Sequence, residues 1–182
     1  IYRDALAAYN FLKEKKGFTD QDIFVFGRSI GTTAAIEISQ KKDIAGLILV
    51  SPLSTGKDMA RQMAPGFLAW LVGSSFDNVG KAKNIACPVL IIHGEKDKVI
   101  PISQGRQVFE ALSTSKKQFQ MCPGVGHNDI IQLQGKLFWS WVEEFISENQ
   151  TREREGPRSF WFAHFSPGSA KVHVRFDSHI SP

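Results

Sequence analysis

Ile23-Phe24-Val25-Phe26-Gly27-Arg28-Ser29-Ile30-Gly31-Thr32-Thr33-Ala34-Ala35-Ile36 is the stretch on which the reading of this chain turns. An apolar run leads into Gly-x-Ser-x-Gly, and small and β-branched residues follow, so the segment reads as strand, sharp turn and helix with a serine at the tip. A bare Gly-x-Ser-x-Gly occurs by chance in many chains; the flanking context is what its chemistry requires. The serine has to sit in a strained turn so that its hydroxyl projects above the sheet. Glycines on either side let strand and helix approach without a Cβ clash. The following helix points its N-terminal N–H groups and positive dipole end at the same spot. The bland alternative is an ordinary strand-to-helix turn that holds Ser29.

Two downstream segments weigh against that alternative. Pro88-Val89-Leu90-Ile91-Ile92-His93-Gly94 is a buried-strand run ending in a turn, and Glu95-Lys96-Asp97-Lys98-Val99-Ile100-Pro101 follows it. In an open parallel sheet, sites form beyond the carboxyl ends of the strands, which brings Asp97 to the same edge as Ser29. Further on, Phe119-Gln120-Met121 reads as a short strand, and Pro123-Gly124-Val125-Gly126-His127-Asn128-Asp129 is a glycine-rich loop carrying a histidine. The chain order Ser29, Asp97, His127 is the order expected behind a nucleophile elbow.

Each residue type suits a role. A serine hydroxyl is a poor nucleophile near neutral pH and needs a base within hydrogen-bond reach, which His127 can supply. The imidazole needs one tautomer held and its cation stabilised, and Asp97 supplies both. A tetrahedral oxyanion needs backbone donors, and the Ile30 N–H, one residue past the serine, is one. Glu95 is the rival acid, but it lies nearer the strand end and is expected to face solvent.

The elbow, the His93-Gly94-x-x-Asp97-x-x-x-Pro101 stretch and the Gly126-His127-Asn128-Asp129 loop resemble the alpha/beta hydrolase superfamily. More narrowly, Gly27 to Thr32, Leu49-Val50-Ser51-Pro52-Leu53-Ser54-Thr55-Gly56 and Val89 to Gly94 resemble the alpha/beta hydrolase domain-containing group that includes protein depalmitoylases. The likeness covers residues 1 to about 148. It implies serine hydrolase chemistry on an ester or thioester, with neither metal nor organic cofactor. The substrate is then a small molecule or an acylated protein.

A complete domain of that type has four further strands before the elbow, and the loop after its third strand donates the other oxyanion N–H. This sequence opens inside an amphipathic segment in which Tyr2, Leu6, Tyr9 and Leu12 recur at helical spacing until Gly17 ends it. The expectation is therefore an α/β fold, the C-terminal portion of an alpha/beta hydrolase domain, with a mostly parallel sheet, helices on both faces and the N-terminal strands missing. The edge of the elbow strand is expected to be left exposed. The expected elements are helix 2–15, strand 22–27, helix 30–40, strand 45–50, an insert over 54–84, strand 88–93, helix 103–113, strand 117–121 and helix 130–148.

At 182 residues and 42% hydrophobic content the chain can bury one core, so one domain over 1–148 is the reading, followed by a linker and tail over 149–182. Cys87 and Cys122 each precede a proline region at a strand boundary and read as reduced, packed thiols. The net charge of +4 is dispersed over faces such as Lys13-Glu14-Lys15-Lys16 with acids interleaved, which argues against a nucleic-acid stripe. No apolar run approaches the roughly 18 residues that span a bilayer. The expected location is cytoplasmic, with any membrane attachment through the absent N-terminal segment.

Within the insert, Met59, Met63 and Phe67 recur every four residues beside Trp70, interrupted by Pro65-Gly66. Such a stripe suits a cap that accepts an acyl chain. It equally suits a helix pair that covers the sheet, or a peripheral contact with a membrane surface. In the tail, Lys171-Val172-His173-Val174-Arg175-Phe176 alternates like one edge strand. His164, His173 and His179 fit no familiar metal-ligand spacing. The tail is expected to be irregular or disordered. A serine ester or thioester hydrolase, a serine peptidase of the prolyl-oligopeptidase type and a non-catalytic interaction module on the same fold are the three functions the sequence admits.

Overall fold

The computed structural model describes residues 1–63 and 76–150, and the backbone of Ser159–Ser166 and Ser169–Phe176. Helix α1 (Tyr2–Lys16) ends at Gly17, whose φ of 72° and N–H bond to the Leu12 carbonyl close a left-handed cap. Its inward stripe is Ala5, Tyr9 and Leu12. Leu6, expected on that stripe, is 44% exposed, because a 100° step per residue carries it off the line that Ala5 and Tyr9 define.

A 3-10 turn at Asp20–Asp22 leads into β1 (Phe24–Arg28), α2 (Gly31–Ser39), β2 (Gly46–Val50), α3 (Gly56–Met63) and α4 (Asn78–Ala82). Then come β3 (Val89–Gly94), α5 (Ile102–Ala111), β4 (Lys117–Cys122) and α6 (Ile130–Asn149), the last broken at Gly135. β4, β3, β2 and β1 lie side by side and parallel. The apolar runs that make β1, β2 and β3 are buried on both faces, as the interior of a parallel sheet requires, while β4 at the edge is mostly half-buried.

Alternation along each strand divides the core in two. Val25, Leu47, Leu49, Val89 and Ile91 face α1, α2 and α5, joined by Ala5, Leu12, Ala35 and Val108. Phe24, Phe26, Ile48, Val50, Leu90 and Ile92 face α6 through Phe138, Val142 and Phe145. Leu47, Leu49 and Ile91 are wholly out of water, and burying each side chain is worth about 1.5–3 kcal/mol before packing is counted.

The tail departs from expectation. β5 (Ser159–Ser166) pairs in parallel with β1, with Gly27 opposite Phe165, and β6 (Ser169–Phe176) returns antiparallel to β5, giving the order β4-β3-β2-β1-β5-β6. Over Ser159–Ser166 and Ser169–Phe176 this hairpin stands where an irregular tail was expected, and β5 pairs the β1 edge expected to be bare; residues 151–158, 167–168 and 177–182 lie outside the described residues. A free strand edge presents a row of unpaired N–H and C=O groups, and a strand from anywhere in the chain can satisfy them. Only Pro167-Gly168, a turn-forming dipeptide, separates β5 from β6 in sequence.

Candidate active site

The register of the sheet sets the height of the site. Arg28 pairs with Val50, and Val50 pairs with Ile92. The next residues, Ser29 and Ser51 just past β1 and β2 and His93 near the end of β3, therefore stand at one level, and the ladder continues through Ser29 N–H to Val50 O (2.9 Å) and Ser51 N–H to Ile92 O (2.9 Å).

Ser29 sits at φ 53°, a left-handed conformation that a non-glycine residue adopts at a cost and that lifts its side chain off the strand. Its carbonyl is held by the Thr32 N–H (3.0 Å) and the Thr32 hydroxyl (2.6 Å), which locks the turn onto α2. Gly27 makes the approach of strand and helix geometrically feasible. A Cβ there would lie 2.7 Å from Ala35 Cβ, 2.8 Å from Thr32 Cα and 2.9 Å from the Gly31 carbonyl. Ile30 opens the first turn of α2, where the N–H has no intrahelical partner by position.

His127 is within reach of both neighbours. Its Nε2 is 3.0 Å from Ser29 Oγ, and its Nδ1 is 2.7 Å from Asp97 Oδ2. An ionised carboxylate can only accept, so Nδ1 carries the proton and Nε2 is left to receive one from the serine. The His127 loop is docked against β3: Lys96 N–H donates to Val125 O (2.9 Å), and a Cβ on Gly94 would meet that same carbonyl at 2.5 Å. Arg28, between Gly27 and Ser29, donates from Nη2 to the His127 carbonyl (3.1 Å) and to Asn128 Oδ1 (3.2 Å). The elbow thus holds the loop that brings the imidazole to it.

Asp97 is buried. Oδ1 accepts from the Val99 N–H (3.0 Å) and the Ile100 N–H (2.8 Å), and Oδ2 accepts from His127 and from the Ser51 hydroxyl (2.8 Å). Burial pushes its carboxyl pKa up, but the bonds from His127, the Ile100 N–H and Ser51 outweigh burial and hold it below the ordinary value. His93, fully buried beneath, has its pKa lowered by burial against the opposing pull of the Ile100 carbonyl and Asp97. Its Nε2 lies 2.9 Å from the Ile100 carbonyl, so it ties down the turn that presents Asp97. Glu95, the rival acid, instead accepts the Gly124 N–H at 2.8 Å and braces the histidine loop from the other side.

Of the insert residues, Met59 is half-buried in α3 and Met63 ends that helix, while Phe67 and Trp70 lie outside the described residues. α3 nonetheless reaches the site's edge, since Gln62 Nε2 donates to the Lys98 carbonyl beside Asp97 (3.2 Å). Cys87 and Cys122 are free and buried, with burial pushing their thiols up to about 12 and about 11. Neither offers a thiolate near neutral pH. Sequence reading missed Arg28, Ser51 and His93 as parts of the site. For Ser51 and His93 the available signal was position, one residue past the last paired residue of β2 and near the end of β3 in a parallel sheet.

A serine, an imidazole and a carboxylate joined in this order above a parallel α/β sheet are arranged as in the alpha/beta hydrolase fold, and the chain has that fold. A family model described as serine aminopeptidase, S33, matches residues 61–132, which include Asp97 and His127. The chain is similar to alpha/beta hydrolase domain-containing protein aho-3 of Caenorhabditis elegans, with 35% identity over 130 residues, covering 71% of this chain and 38% of that protein. It is likewise similar to alpha/beta hydrolase domain-containing protein 17B of Homo sapiens, with 32% identity over 148 residues, covering 81% of this chain and 49% of that protein. Among solved structures, an esterase of Pyrococcus furiosus superposes with a TM-score of 0.66 at 23% identity, over 81% of this chain and 62% of that one. The chain spans half or less of the length of these curated relatives.

Proposed function

We propose that the chain carries the catalytic residues of a serine hydrolase that cleaves an ester or thioester through an acyl-enzyme. The observation that supports this most is the pair of contacts at His127, 3.0 Å to Ser29 Oγ and 2.7 Å to Asp97 Oδ2. Ser29 Oγ attacks the substrate carbonyl carbon as its proton passes to His127 Nε2. Asp97 steadies the resulting imidazolium, and the Ile30 N–H stabilises the oxyanion. The tetrahedral intermediate collapses, the alcohol or thiol leaves with the proton from Nε2, and Ser29 keeps the acyl group. Water, deprotonated by the same imidazole, then attacks the acyl-enzyme, the acyl–Oγ bond breaks as Nε2 returns the proton to Ser29 Oγ, and the acid is released.

The sharpest version is removal of a long acyl chain from a protein cysteine, which rests on the resemblance to the group that includes protein depalmitoylases. In that version the insert containing Met59, Met63, Phe67 and Trp70 receives the chain. A peptidase reading has support in the description of the matching family model. Hydrolysis rates on p-nitrophenyl acetate, a palmitoyl thioester and an aminoacyl p-nitroanilide, each with and without Ser29→Ala, separate these readings. The thioesterase reading expects Ser29-dependent turnover highest on the palmitoyl substrate. Preference for acetyl counts against it, preference for the anilide favours the peptidase, and no Ser29-dependent turnover leaves a non-catalytic module.

A further inference from the structure

We propose that Ser51, at the carboxyl end of β2, is a positioning residue for the triad: its hydroxyl fills the last acceptor site of Asp97 and sets how strongly that carboxylate holds His127. The inference rests on the serine hydrolase reading and extends it to a residue outside the Ser–His–Asp set.

Ser51 is completely buried and adopts φ 48°. A non-glycine residue at positive φ is strained, and glycine would take the same backbone conformation without that cost. Something therefore has to favour a side chain there, and the contact is specific: Oγ donates to Asp97 Oδ2 at 2.8 Å across a separation of 46 residues. The backbone does not need the hydroxyl, since the Ser51 N–H is satisfied by the Ile92 carbonyl.

The arrangement around the carboxylate shows what the hydroxyl does. Oδ1 is saturated by the Val99 and Ile100 N–H groups, which belong to the same turn as Asp97 and move with it. Among the described residues, Oδ2 receives only His127 Nδ1 and Ser51 Oγ. Ser51 is thus the donor that fixes Oδ2 relative to the sheet rather than to the turn. It also shares the charge that would otherwise face the imidazole alone. Three other titratable groups near the pair have partners of their own. His93 Nε2 is 3.6 Å from Oδ2, but its proton is committed to the Ile100 carbonyl, and Arg28 binds the His127 carbonyl. Glu95 is engaged by the Gly124 N–H.

Removing the hydroxyl leaves Oδ2 with His127 as its one hydrogen-bond donor. The less solvated carboxylate then favours the imidazolium more, so the base becomes available only at higher pH. The test compares Ser51→Ala and Ser51→Gly with wild type by the pH dependence of kcat/KM on a p-nitrophenyl ester. Glycine relieves the φ strain whereas alanine keeps it, so any effect of strain differs between the variants and the effect of the lost hydroxyl is common to both. The expected result is an acid limb displaced upward by roughly half to one pH unit in both variants, with kcat reduced about three- to thirtyfold and KM little changed. An active wild type with an unmoved acid limb in both variants overturns the role of Ser51 alone. A wild type without Ser29-dependent hydrolysis overturns the hydrolase reading and this inference with it.

Discussion

At the scale of single residues, the proposed chemistry depends on where one proton sits. Asp97 holds His127 in the tautomer with Nδ1 protonated, because an ionised carboxylate offers no hydrogen. Asp97→Asn presents an amide that can turn its N–H₂ toward the ring and favour the wrong tautomer. We expect kcat to fall by about 10⁴-fold with the fold intact, read by ester hydrolysis alongside circular dichroism. Stability carries a pH signature of the same groups. Asp97 is held below its ordinary value, so its contribution is complete above the unfolded value near 3.9 and is lost as pH falls through the lower folded value. His93 is also held low, by burial, so below about pH 6.5 the unfolded chain binds a proton that the folded chain refuses, and stability drops as pH falls. Urea midpoints should therefore decline in two stages, from about pH 6.5 and again below about pH 4, with His93→Gln removing the first stage. A midpoint that stays flat between pH 7 and pH 5 in wild type contradicts this. Ser29, Asp97 and His127 were legible in sequence because each lies in a turn or loop that follows a strand. Ser51 was not, because a positive φ and a contact 46 residues away leave no local pattern.

At the scale of elements, β1 and α2 are the unit that presents Ser29, and Gly27 is where they touch. Gly27→Ala places a Cβ within 2.9 Å of three atoms, two of them backbone. The strand and helix must then separate, at a cost of about 1–3 kcal/mol. A change of that size lowers the melting temperature by about 2 to 4 °C per kcal/mol in a domain of this length. Because the separation shifts the Ser29 turn itself, activity should fall by more than the loss of folded protein explains. Unchanged melting and unchanged activity would show that the elbow is looser than its geometry indicates. The elements themselves were readable because their periods differ: continuous apolar runs for β1, β2 and β3, and a helical repeat for α1. The exact face of α1 was less so, since Leu6 and Ala5 compete for the stripe and only the packing against the sheet selects Ala5.

For the whole molecule, a parallel sheet was legible in strands alternating with helices, whereas the order β4-β3-β2-β1 came only with the structure. The hairpin that extends it did not, because Gly27 and Phe165 pair across 138 residues (165 − 27) and sheet-edge pairing writes no signal into either segment beyond the alternation at 171–176. Among the described residues, no helix is long and apolar enough to cross a membrane. The central claim is that this sheet exists to set Ser29 against His127. Treatment with a fluorophosphonate, followed by mass spectrometry of the digested protein, tests it most directly. The account predicts one phosphonyl adduct on Ser29, absent in Ser29→Ala and formed far more slowly in His127→Gln. A folded protein that takes up no adduct, or takes it up at another serine, would contradict it.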